Sequence, residues 1–121
     1  MSVFFLLVIP PLALEAKRMT SKAKCLIIAR FSTAARHIAD QLLRSSTSVA
    51  ANYAEASESE SAQDFVHKMK LALKELKESR VWLLFASRMN PSVEVEALKQ
   101  EAQELILMIS SSIATAKKRL K

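Results

Sequence analysis

RHIADQLLRSSTSVAANYAEASES, residues 36–59, repeats apolar and small side chains with a helical period. Ile38, Leu42, Ser45, Val49, Asn52 and Ala56 recur at spacings of four and three, which stacks them on one seam of an amphipathic helix. Two members of that seam, Ser45 and Asn52, are polar. A serine there lets a neighbouring helix come close, and an asparagine buried without a partner costs about 1–3 kcal/mol. Beside the seam runs a second stripe, His37, Gln41, Arg44, Ser48, Ala51 and Glu55, whose charged members are Arg44 and Glu55. The pattern predicts a helix with a polar packing network, and the ordinary use of such a network is to fix register and oligomeric state. A ligand-binding or catalytic use is the alternative.

The rest of the composition agrees with long packed helices. The chain has 121 residues, enough for one domain with one core. Half of it is hydrophobic, and glycine is absent. Without glycine a phosphate-cradling Walker loop, a dinucleotide fingerprint and a nucleophile elbow are all excluded, since each needs close backbone approach or positive φ. The expected fold class is all-α. A net charge of +6 and a pI near 9.7 suit phosphate polymers or an acidic partner, or a plain soluble basic surface. Cys25 is the only cysteine, so no intrachain disulfide forms and a reducing cytoplasm fits best. It stands in the apolar run KCLIIARF, and we read it as a small core residue.

On the C-terminal side, the helix is expected to end in the serine-rich run 57–61. Ser61 then begins SAQD, a capping arrangement in which Asp64 faces the positive helix end. The following helix is predicted over Ala62–Met89, with the seam Phe65, Met69, Ala72, Leu76, Ser79, Leu83 and Ala86. Its opposite face carries His67, Lys70, Lys74 and Lys77, a basic stripe that is either a solvated helix face or a surface for phosphates. A flanking stripe, Leu71, Glu75, Glu78 and Trp82, offers carboxylates to Arg44. Asn90 and Pro91 mark a break and restart, with Asn90 as cap and Pro91 at the first helical position. The last helix is expected over Ser92–Arg119 with Val95, Leu98, Ala102, Leu105, Ile109, Ser112 and Ala116 on its seam. In its middle, Leu105 to Ile109 wrap the whole circumference, which points to burial on a second side and to self-association. The tail KKRLK, with Lys117, Lys118 and Arg119, adds a basic patch suited to a helix C-terminus.

On the N-terminal side the pattern is different. Residues 1–20 form an atypical segment: seven apolar residues from Val3 to Ile9, interrupted by Pro10 and Pro11. The run is short of the about 20 apolar residues a membrane span needs. We read it as a packing segment, with a secretory signal as the alternative, although no Lys or Arg precedes the apolar run. Helical patterning covers about Leu12 to Arg30, and Ser32 or Thr33 can cap the helix that follows. Residues 21–121 make the single folded domain.

No catalytic constellation emerges. His37 and His67 are isolated from any metal spacing, and no ExxH accompanies Glu55, Glu75 and Glu78 as in bundle metalloproteins. No cofactor and no metal are expected, and the chain is not expected to be an enzyme.

Residues 41–83 carry a resemblance. LLRS at 42–45, TSVAANYAEA at 47–56, DF at 64–65 and LKELKESRVWL at 73–83 together resemble the proteins encoded in intervening sequences of bacterial 23S ribosomal RNA genes. The same family includes the accessory variability determinants of diversity-generating retroelements. Family members usually carry glycine near Ser46 and Ala50, where this chain has only small residues. The resemblance implies an antiparallel up-and-down four-helix bundle and, from characterised relatives, a homopentameric ring. It also implies that Arg44, Ser45, Asn52, Glu55, Glu75 and Glu78 are structural marks, and it brings no catalytic residues.

The expected function is a cytoplasmic, homo-oligomeric bundle that binds RNA or another nucleic acid through Lys70, Lys74, Lys77, Lys117, Lys118 and Arg119. The alternative is a protein-interaction scaffold or an accessory subunit, for example of a reverse transcriptase as the retroelement relatives imply. No membrane partner is expected.

Overall fold

The computed structural model describes residues 33–121, which form helices α1 (Thr33–Ser57), α2 (Ala62–Met89) and α3 (Val93–Leu120). The atypical segment 1–20, the helical pattern over 12–30, Cys25, the Ser32 cap and the start of the domain at 21 lie outside these residues. The protein is all-helical over the described residues, with no strand among them.

Each helix runs antiparallel to the next. Glu55 near the end of α1 pairs with Lys68 near the start of α2, and Arg44, a further three turns back, meets Glu75 and Glu78. On the other side of α2, Arg80 donates to Gln103 and Ser87 to Glu96, which sets α3 in the reverse direction. Backbones approach closely between α1 and α2 and between α2 and α3, but not between α1 and α3. Helix α2 is therefore the shared wall of both pairs.

The turns work without glycine because no described residue needs positive φ. At the end of α1, Glu58 and Ser59 donate their backbone N–H groups three residues back, and the Ser59 hydroxyl adds a bond to Ala56 O. Ser61 caps α2 by accepting the Asp64 N–H at 3.0 Å. The second turn departs from the Asn90–Pro91 reading. Asn90 ends α2, donating its N–H to Ala86 O, and Ser92 caps α3 by accepting the Val95 N–H at 3.1 Å. Ser92 is extended, and its short hydroxyl reaches the third amide of the new helix, so Pro91 falls in the connection and α3 begins at Val93.

The core is a continuous apolar cluster. Leu42, Val49, Met69, Leu76, Leu83, Leu98 and Ile109 are almost wholly removed from water, each stabilising the fold by about 1.5–3 kcal/mol. The seam of α1 is as expected at Ile38, Leu42, Ser45, Val49 and Ala56, and departs from the expectation at one position. Tyr53 is buried where Asn52 was expected, and Asn52 is half-buried, donating to Ser48 O at 2.9 Å on its own helix. A larger apolar ring gains more from the inward position than an amide that its own backbone can satisfy. In α2, Val66 takes the inward place and Phe65 packs beside it. In α3, Leu105, Ile106 and Ile109 point inward while Leu107 and Met108 remain exposed, so the apolar girdle divides into a buried and a solvent side.

Candidate nucleic-acid interface

The polar residues of the α1–α2 contact divide into a buried part and a surface part. In the buried part, Ser79 Oγ lies 2.8 Å from Ser45 Oγ and 3.0 Å from Glu75 O, and both serines are fully inaccessible. Ser46 donates to Leu42 O at 2.6 Å, so the hydroxyls are satisfied and the small side chains leave the two helices free to approach. These residues hold helices together and offer no open site.

The surface part is a chain of contacts along one edge. The Arg44 guanidinium reaches Glu75 at 3.3 Å and also bonds Glu78, while its Nε lies 3.4 Å from Gln41 Oε1. Glu78 also accepts the Trp82 indole N–H at 3.2 Å. That indole bond first, and Arg44 second, hold the Glu78 carboxyl below its usual range. The bond to Glu78 and the charges of both carboxylates push the Arg44 guanidinium up. Trp82 in turn meets His37 edge-on with ring centroids 5.8 Å apart, and Phe85, tilted, at 5.8 Å. The pairing of Arg44 with the carboxylates of the next helix is thus present, as a register contact between α1 and α2. Glu55 bonds Lys68 at 2.5 Å and raises that ammonium's pKa. The three glutamates therefore serve cations rather than a common centre, and no group of three metal-ligating side chains gathers among the described residues.

The lysines predicted to contact phosphate lie elsewhere. Lys70, Lys74 and Lys77 are exposed on the outward face of α2, and none forms an ion pair among the described residues. Lys117, Lys118 and Arg119 are exposed at the end of α3, which the antiparallel packing brings to the end of the molecule where α2 begins. The α1–α2 connection puts exposed Glu58 and Glu60 at that same end, so the basic surface is a stripe along α2 rather than a whole pole. Much of the net charge of +6 comes from outside this surface, since Lys17, Arg18, Lys22, Lys24 and Arg30 face Glu15 alone in residues 1–32. The position of the lysines, rather than total charge, defines the candidate interface.

Sequence reasoning missed what continues that stripe. Beyond Lys77 the outward face of α2 turns apolar, with Val81, Leu84, Phe85 and Met89 each 41–50% exposed. Their spacing of three and four was visible, but the sequence reading followed the inner seam through Leu83 and assigned these residues no face.

A hydrophobic bundle of antiparallel helices with a serine-lined close contact, an edge network and a basic outer stripe defines a helical packing module. Its family follows from comparison: the chain matches the model of the 23S rRNA-intervening sequence proteins over residues 15–111 and belongs to that family. Among solved structures it is similar to a protein of unknown function from the S23 ribosomal protein family of Bacteroides thetaiotaomicron. The two share 31% identity and superpose with a TM-score of 0.71, covering 88% of this chain and 98% of that one. A search of curated proteins returned no match. No described helix is long and apolar enough to cross a membrane.

Proposed function

We propose that this protein is a non-enzymatic, homo-oligomeric helical bundle that binds RNA or another nucleic acid through the outward face of α2. The observation that carries the reading is the contrast among its cations. Arg44, Lys68 and Lys99 are ion-paired with carboxylates, whereas Lys70, Lys74 and Lys77, one turn apart and exposed, form no ion pair among the described residues, Lys74 acting on Glu78 only through its charge. Unpaired ammonium groups in such a row match a phosphate backbone, and each one engaged releases counterions. Lys117 and Lys118 at the end of α3 extend the footprint.

Two further features of this reading draw on the fold. Helices α1 and α3 both lie close to α2 with no close backbone approach to each other, an arrangement that suits a four-helix bundle completed by the helical sequence pattern over residues 12–30. Exposed Leu107 and Met108 on α3 supply apolar surface for self-association, for which the family resemblance suggests a pentameric ring. The single cysteine supports a cytoplasmic location as part of this reading.

The test is binding to structured RNA across a salt series by the wild type and by Lys70→Gln/Lys74→Gln/Lys77→Gln. The triple variant is expected to fold normally, bind more weakly to all sequences, and show a salt slope shallower by about 2–3. Equal affinity and slope for the two proteins would remove α2 as the interface.

A further inference from the structure

We propose that the nucleic acid held on α2 is single-stranded, and that Phe85 is the platform on which one of its bases stacks. The inference rests on the reading of Lys70, Lys74 and Lys77 as phosphate contacts and names the kind of strand they hold.

The argument begins with register. Lys70, Lys74, Lys77, Val81, Phe85 and Arg88 follow one another at spacings of four and three, so they share one stripe along α2, and all six are exposed. The stripe runs for about 27 Å at the helical rise of 1.5 Å per residue. It is cationic at both ends and apolar in the middle. Arg88 has no ion pair among the described residues, and the carboxylate nearest the apolar section in sequence, Glu78, is ion-paired with Arg44, which it shares with Glu75.

Duplex nucleic acid offers phosphates and grooves but no open base faces, so an aromatic ring standing on a convex helix has nothing to stack on there. A single strand offers both charged backbone and bare rings, which is the combination that a basic track with aromatic side chains recognises. Phe85 is half exposed and held from one side by Trp82, whose ring centroid is 5.8 Å away. Trp82 is itself fixed through its N–H to Glu78, and Glu78 by Arg44. The ring is thus braced by a chain of contacts back to α1, so little side-chain freedom is lost when a base settles on it. Val81, Leu84 and Met89 surround it with apolar surface for the sugar and base edges.

The experiment measures affinities of the full chain for an oligouridylate and for an RNA duplex of equal phosphate number, by anisotropy at fixed salt. Proteins compared are the wild type, Phe85→Ala, Phe85→Leu, Phe85→Tyr and the lysine triple. Emission of Trp82, the only tryptophan, is followed in the same titrations. The wild type is expected to prefer the single strand and to change its Trp82 emission on binding it. Phe85→Ala and Phe85→Leu should lose about 5- to 150-fold in single-strand affinity, Phe85→Tyr should retain it, and duplex binding should change less than about twofold. Single-strand affinities of Phe85→Ala and Phe85→Leu within twofold of wild type, with the lysine triple impaired, overturn the stacking inference and leave the α2 reading standing. If the lysine triple also binds as wild type, both fall. An altered assembly mass in the Phe85 variants, with RNA affinity intact, would make the apolar section a protein interface and likewise overturn the inference.

Discussion

Replacing Tyr53 with phenylalanine should make the protein more stable. The Tyr53 side chain is 3% exposed, its hydroxyl has no hydrogen-bond partner among the described residues, and burial pushes the phenol well above its usual range. A hydroxyl removed from water without a partner costs about 1–3 kcal/mol, and Tyr53→Phe deletes that oxygen while keeping the ring in the common apolar cluster. Allowing for the small void left by one oxygen, the expected gain is about 1 kcal/mol. Urea denaturation at fixed protein concentration should show the midpoint rising by about 0.3–1 M with an unchanged slope. Alkaline titration gives an independent check. A phenol whose folded pKa is raised contributes stability that is complete below the ordinary value of 10.0 and is lost as pH climbs past it. Wild type should therefore weaken above pH 10 relative to Tyr53→Phe. A variant less stable than wild type by more than about 0.5 kcal/mol would refute the reasoning, because it would mean that the hydroxyl has a partner.

Other expectations follow from the helix contacts. Ser45→Leu puts three carbons in place of a buried hydroxyl that meets Ser79 across the α1–α2 contact and should cost about 1–3 kcal/mol in a urea titration; a variant as stable as wild type would show the contact to be loose. Glu78→Gln should be the weaker protein at pH 7. Because the Glu78 carboxyl is held below its usual 4.5, its contribution is present above that value and fades as pH falls below it, so thermal melts of the two proteins should draw together as pH is lowered into the acid range. A gap independent of pH would show that charge at Glu78 has no part in stability. Ser92→Ala should lower stability by about 0.5–2 kcal/mol, and more than any effect of Pro91→Ala; the reverse order would restore Pro91 as the start of α3.

The helices were legible because their seams follow one period for many turns. Leu76, Ser79 and Leu83, or Leu98, Ala102 and Leu105, keep the same face inward with no competing pattern. Errors arose where two residues competed for one place. Asn52 and Tyr53 are neighbours near the seam, and only packing decides that the ring goes in. Asn90, Pro91 and Ser92 all favour a helix start, and the choice depends on which side chain reaches the free amide. The Arg44 contact was legible from complementary charges on flanking stripes of successive helices. The outward apolar section of α2 was not, since Val81, Leu84 and Phe85 surround the buried Leu83 and a sequence window cannot separate the two sides.

The position of α2 has a kinetic consequence. Its partners are joined to it by the connections 58–61 and 90–92, so each helical pair closes a short loop at small entropic cost. Either hairpin can form first, and both need the same central helix. Truncations at Leu76 or Leu83 should therefore slow refolding as well as hasten unfolding, whereas truncations on α1 or α3 can be bypassed by the hairpin that omits them. The route of assembly is branched at its outer helices and common at its middle one.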